Sequence, residues 1–176
     1  MGRIEVDLFA LVRAGGEGNS VADASVVQGT RPIGEFSRLI DGLPPQNEVP
    51  VEWSVRGEST GAGRRFIDVH AQGEVTLECQ RCLKPFVMPL KVENRLEIVK
   101  SPSQLEDDDE IERIVGSTRF DVLELIEDEL ILSLPTIPKH EVCPSMPSEV
   151  GSDPTPDTEA ERPSPFAALQ QLKKDQ

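Results

Sequence analysis

Cys79 and Cys82 stand two residues apart in LECQRCLKPF, and the chain has one other cysteine, Cys143, in PKHEVCP beside His140. A cysteine pair at this spacing admits three kinds of chemistry: a dithiol redox couple, half of a four-coordinate metal site, or two small hydrophobes at a turn. A redox couple wants its first cysteine at a helix N-terminus after a strand, where aligned peptide dipoles lower the thiol pKa. Strand-like patterns flank this pair on both sides and Pro85 follows closely. Structural zinc wants four soft or borderline ligands. Cys79, Cys82, His140 and Cys143 supply such a set, three thiolates and an imidazole against a dication. In the third reading Cys79 is buried on a strand face, Cys82 lies in the turn, and His140 and Cys143 belong to an unrelated loop. Spacing leaves all three open.

The remaining side chains offer no catalytic set. With two histidines there is no Ser/His/Asp arrangement and no HExxH helix, and no glycine loop is built to cradle phosphate. His70 sits on the polar parity of its strand beside Asp68 and Gln72, which predicts exposure. Glu127 and Glu129, two apart on a helix, point in different directions and do not form an acid/base pair. The chain reads as a binding protein.

The elements that must position these residues follow from periodicity. Ile4, Val6 and Leu8 alternate, which predicts a short first strand. TRPIGEFSRLIDGLP predicts a helix, with Thr30 near its start, Pro32 early, Ile33, Phe36, Ile40 and Leu43 at helical spacing, and Pro44 and Pro45 ending it. Val49, Val51, Trp53 and Val55 share one parity, and Ile67, Val69, Ala71, Val75, Leu77 and Cys79 share another, predicting an antiparallel pair. Alternation resumes with Met88, Leu90, Val92, Leu96 and Ile98 inward, so the CQRC stretch belongs at a strand-to-strand turn. FDVLELIEDELILSLP opens with Asp121 and has Glu124 three residues on, a capping box. Its helix lines Val122, Ile126, Leu130 and Leu134 along one stripe that Leu123 and Ile131 widen, Pro135 stops it, and Glu127, Asp128 and Glu129 form its wet side.

The expected fold class is α+β: an antiparallel meander or partly open barrel with packed helices over residues 1–143. After Cys143 the composition changes. PSMPSEVGSDPTPDTEAERPSP holds six prolines and five acids with little to bury, which predicts a disordered acidic linker over 144–163. SPFAALQQLKK, at the end, predicts an amphipathic docking helix over 164–176, with Ser164 to cap it, Pro165 to open it and Phe166, Leu169 and Leu172 on one side.

Charge narrows the partners. Acids outnumber bases 32 to 18, a net charge of −14, and a polyanion is repelled by such a chain because phosphate affinity rests on Lys and Arg displacing counterions. Residues 81–100 are locally basic, with Arg81, Lys84, Lys91, Arg95 and Lys100 against Glu93 and Glu97, and Arg64 and Arg65 stand in the preceding hairpin loop. Lys91 and Arg95 share the outward side, a small phosphate patch or a solvated face. From Gln104 to Leu130 there are eleven acids and two arginines, a surface suited to a basic protein. No tyrosine is present and the single tryptophan looks inward, so base-stacking platforms are missing. Protein is favoured over RNA as the direct contact. No stretch reaches the roughly 20 apolar residues that a membrane span needs, and Glu5 and Asp7 stand where a signal peptide is apolar. A soluble, cytoplasmic protein with free or metal-bound thiols is expected.

Three separated stretches, VTLECQRCLKPF, FDVLELIEDELILSLPTIPKHEVC and the terminal SPFAALQQLKK, resemble in that order the bacterial large ribosomal RNA subunit accumulation protein family, often called YceD. The resemblance runs from about residue 75 to the end, apart from the linker. It implies a non-enzymatic role in the synthesis, processing or stability of large-subunit ribosomal RNA in the bacterial cytoplasm. Taken with the charge pattern, it points to a basic large-subunit protein or a precursor RNA–protein particle as the partner, with Arg81, Lys84, Lys91 and Arg95 of the basic face and Glu127, Asp128 and Glu129 of the acidic helix as candidate contacts. The alternative is a zinc- or thiol-dependent redox protein using Cys79 and Cys82.

Overall fold

A computed structural model of the chain describes residues 2–14, 26–60, 62–105 and 111–144. The acidic run at 106–110, the linker beyond Pro144 and the terminal helix expected at 164–176 lie outside these residues.

The first strand, β1 (Glu5–Val6), is only two residues long, because Leu8 already belongs to a helix, α1 (Leu8–Ala14). Asp7 caps that helix, its Oδ1 accepting from the Phe9 and Ala10 backbone N–H groups. Leu8, Leu11 and Val12 are buried, a helical spacing that the shorter Ile4, Val6, Leu8 alternation masked. Strand β2 (Val26–Pro32) takes up Thr30, Arg31 and Pro32, where the helix had been expected to begin. What remains of that helix is a 3₁₀ turn at Ile33–Glu35 and the single turn α2 (Ser37–Ile40). Of the expected stripe Ile33 and Phe36 are buried, while Leu39 takes the third core position and Ile40 and Leu43 are only partly buried against the core.

Strands β3 (Pro50–Ser59), β4 (Arg65–Glu78) and β5 (Pro85–Val99) follow as expected, and β2, β3, β4 and β5 pair in sequence order, all antiparallel. A second 3₁₀ turn at Pro102–Gln104 leads to β6 (Arg113–Val115), which joins the far edge in parallel with Glu97–Val99. The result is a five-stranded mixed sheet that does not close into a barrel. Strand β7 (Phe120–Asp121) pairs with β1 and runs into α3 (Val122–Leu132). The fold class is α+β.

The inward residues of β3, β4 and β5, from Val51 and Trp53 to Leu96 and Ile98, are buried together with Leu8 and Val12 of α1 and Val122, Ile126 and Leu130 of α3. Gly57 on β3 permits the closest approach: a Cβ there would lie 2.7 Å from the Leu11 carbonyl oxygen. Strand β3 reaches only to Gln72 of β4, so β4 and β5 continue beyond it as a two-stranded arm. The Gln46 side chain covers the exposed side of β4 in that arm, its Nε2 donating to the Thr76 carbonyl and its Oε1 accepting the Thr76 N–H, at 2.9 and 2.8 Å. The CQRC turn lies at the end of the arm. Among the described residues, no helix is long and apolar enough to cross a membrane.

Candidate metal centre and the charged faces

The arm ends in a tight loop. The Cys79 N–H donates to the Lys84 carbonyl at 3.0 Å, and the Leu83 N–H donates back to the Cys79 carbonyl at 2.8 Å. The segment following α3 returns to this loop: the Gln80 N–H donates to the Pro138 carbonyl at 2.9 Å, and the His140 N–H points at Cys79 Sγ at 3.4 Å. His140 also stacks on Phe86, ring centroids 4.8 Å apart. Two segments some sixty residues apart thus meet side by side.

They bring together the four residues picked out by type. The ligand atoms of Cys79, Cys82, His140 and Cys143 all lie within 4.8 Å of one another. Cys79 Sγ is 3.8 Å from Cys143 Sγ, and Cys82 Sγ is 3.5 Å from His140 Nδ1. A tetrahedral ion about 2.3 Å from each sulfur and about 2.0 Å from nitrogen separates two sulfurs by about 3.8 Å and a sulfur from a nitrogen by about 3.5 Å. The residues therefore fit a four-coordinate ion. The reading that gave His140 and Cys143 to an unrelated loop does not hold.

The surroundings favour thiolate at one end of the cluster. Burial alone pushes the Cys79 thiol up, but hydrogen bonds from the His140 backbone and side chain, with further ones from the Arg81 and Cys82 backbone, bring it down to about 5. Cys82 moves the other way, raised by burial and by the neighbouring sulfurs of Cys143 and Cys79. Arg81 lies across the outside. Its Nε donates to Cys143 Sγ at 2.9 Å and its Nη2 to the His140 carbonyl at 2.9 Å, setting a cation against a sulfur-rich cluster and tying the two segments together. Spacing had placed Arg81 among basic surface residues; only the returning segment makes it a supporting residue of the cluster.

The charged faces differ from expectation. Glu127 and Glu129 are 2% and 8% exposed, so the acidic triplet is not the wet side of α3. Glu127 Oε1 accepts the Arg38 and Leu39 backbone N–H groups at the start of α2, and its Oε2 takes Arg38 Nε at 3.0 Å. Asp128, half exposed, takes Arg38 Nη1 at 2.7 Å. Glu129 accepts from Asn94, and its carboxyl is raised first by burial and further by the nearby charges of Glu112 and Asp128. Exposed Glu124 stays on the outer side of the helix.

On the sheet the cations find partners within the chain. Arg95 meets Glu58 and Asp68 and lies over the Phe66 ring, and Lys91 meets Glu93. Arg64 and Arg113 converge on Glu97, which is buried although its strand parity predicted exposure. Lys84 is exposed beside the cluster, and His70 is exposed as expected.

The family described as "Large ribosomal RNA subunit accumulation protein YceD" matches residues 67–173, a span that includes all four cluster residues and α3. A protein of that name from Haemophilus influenzae is 38% identical over 107 residues, covering 58% of this chain and 62% of the relative. The match thus takes in less than two thirds of the relative's length. No solved structure matches the chain. With a family match over more than half its length and the cysteine arm and α3 inside that match, the chain belongs to the large ribosomal RNA subunit accumulation protein YceD family.

Proposed function

We propose that the chain is a non-catalytic factor for large-subunit biogenesis that supports the synthesis, processing or stability of large-subunit ribosomal RNA in the bacterial cytoplasm. It acts by holding a basic large-subunit protein, or a precursor RNA–protein particle, rather than by turning over a substrate. The observation that carries this reading is the family match, because it spans the arm, the returning segment and α3 together. The charge balance supports the choice of partner: a net charge of −14 attracts cationic proteins and repels bare RNA.

In this reading the cysteine arm is a structural zinc centre. Cys79, Cys82, His140 and Cys143 would hold the ion, which would supply a crosslink between the β4–β5 loop and the segment after α3. A third thiol and an imidazole converging on Cys79 and Cys82 favour a closed metal centre over a two-thiol redox couple.

Because Glu127 and Glu129 are engaged internally, the acids that α3 itself offers a partner are Glu124 and the outer edge of Asp128. The test is sedimentation of the purified full chain with large-subunit precursor particles across a salt series. Association is expected at low ionic strength, with a decrease for Glu124→Lys. A chain that ignores the particles at every salt concentration contradicts the proposal. Elemental analysis of protein purified without chelator is expected to find one zinc per chain.

A further inference from the structure

We infer that the open edge of β6 receives a lysine- or arginine-bearing segment of a protein partner as an added strand, seated in a groove shared with α3 whose Glu124 and Asp128 take its cations. The groove, of about 500 Å³, is lined by Ile114 and Val115 of β6, Phe120 of β7, and Glu124, Leu125 and Asp128 of α3. One cavity thus holds a strand edge, apolar side chains and the acids of the helix. The sheet ends at β6, which among the described residues pairs only with β5. The Glu97 N–H donates to the Glu112 carbonyl and the Gly116 N–H to the Val99 carbonyl. Residues 112, 114 and 116 therefore serve that ladder, and the Val115 N–H and C=O face the other way. Backbone groups presented along a sheet edge are a template for another strand.

Charge selects the strand that fits. The arginines that line the groove are committed within the chain: Arg119 to Glu5 at 2.9 Å, Arg113 to Glu97 at 3.0 Å and Arg3 to Asp121 at 3.7 Å. The helix acids are not balanced in this way. Glu124 is exposed and has no ion-pair partner among the described residues. Asp128 is half exposed and shares a single guanidinium, that of Arg38, with Glu127. Burial leads in raising the Glu129 carboxyl and the charges of Glu112 and Asp128 add to it, so a cation arriving beside Asp128 relieves a repulsion already present. Leu105, also on the groove, is joined in sequence to Ile111 by five consecutive acids, which are no part of the proposed contact but deepen the negative charge of this region of the chain. A cationic segment is attracted there and a polyanion repelled. Glu124 and Asp128 stand one turn apart, about 6 Å along the helix, and alternate residues of an extended strand recur at about 6.7 Å. Cations at every second position match that spacing.

The inference deepens the proposed role and rests on it for the source of the segment. The probe is a short capped peptide alternating lysine with valine, titrated against the full chain. Beside it stand the same peptide N-methylated at its central amides, its glutamate counterpart, and a polyuridylate RNA of matched length. The lysine peptide is expected to bind, more weakly as salt rises. N-methylation is expected to weaken binding roughly tenfold through lost edge hydrogen bonds, and Val115→Pro to do the same. Val115→Pro removes an N–H that faces away from β5, so urea unfolding is expected to show a folded chain; the N-methylated peptide reads the same contact without altering the protein. Glu124→Gln is expected to cost roughly threefold. Equal binding of the methylated and unmethylated peptides overturns the added strand, and so does preference for the glutamate peptide or the RNA. Either result leaves the biogenesis role standing wherever the chain still sediments with precursor particles. A chain that binds the peptide as expected but ignores the particles keeps the groove and overturns that role.

Discussion

Glu97 shows how completely a residue's meaning depends on what it meets. By strand parity it is a surface glutamate. In the folded chain Arg64 reaches it with two hydrogen bonds of 2.7 Å and Arg113 with one of 3.0 Å. The Arg64 hydrogen bond is the leading influence that holds its carboxyl down, to about 2, against burial, which pushes it up, and Arg113 adds to the lowering. Its folded pKa lies below the ordinary carboxylate value, so its contribution to stability is present above about pH 4.5 and is lost as pH falls toward 2. Glu97→Gln is expected to destabilise the protein by about 1–3 kcal/mol at pH 7. The gap between variant and wild type should narrow below pH 4.5, read from urea unfolding across pH. A difference that does not change with pH would assign Glu97 a packing role only. Glu129 has the opposite sign, since burial raises its carboxyl and its charge opposes folding as pH climbs through that raised value.

At the scale of elements, α3 joins what was legible to what was not. Asp121 was readable as its N-cap because the capping rule is local, and its Oδ1 accepts the Leu123 and Glu124 N–H groups. The apolar stripe was equally readable from its period. The burial of Glu127 was not, because its partners, the backbone of Arg38 and Leu39, lie about ninety residues earlier in the chain. That carboxylate also caps α2, a single turn with no side-chain cap from its own N-cap residue, Phe36. Glu127→Ala leaves two backbone donors and the Arg38 Nε–H without their acceptor, and is expected to cost about 2–4 kcal/mol. Thermal unfolding of Glu127→Ala beside exposed Glu124→Ala measures it, and equal effects of the two would contradict the clamp. The same reasoning explains the shortened helix at residues 30–44: a helical spacing of Ile33, Phe36 and Ile40 is also met by a turn whose side chains enter a core from a strand end. Only pairing of Arg31 and Pro32 with Val51 and Pro50 decides between them.

For the whole molecule, the arm and the segment after α3 form one construction in which four ligand atoms close a ring across some sixty residues of sequence. Removing a bound ion with a strong chelator is expected to release the segment 134–143 first. Hydrogen exchange should quicken at the Gln80 amide, which donates to the Pro138 carbonyl, while the amides shared by β3 and β4 stay protected. Uniform exchange after chelation, or none at all, would separate the cluster from the docking of that segment.

The sequence alone determined what depends on near neighbours. Period-two alternation set β3, β4 and β5 and their turn, Asp121 as N-cap set the start of α3 without the reciprocal Glu124 bond of a full capping box, and residue type singled out Cys79, Cys82, His140 and Cys143. The tertiary structure decided everything that depends on distant partners. It fixed the convergence of the cysteine and histidine segments, the internal use of Glu97, Glu127 and Glu129, the pairing of Arg95 and Lys91, and the parallel addition of β6. The reason is physical: backbone preference and amphipathic period act over a few residues and leave a local imprint. A buried charge or a metal ligand is defined by what stands a few ångströms away in space, and that neighbour is chosen only when the chain has folded.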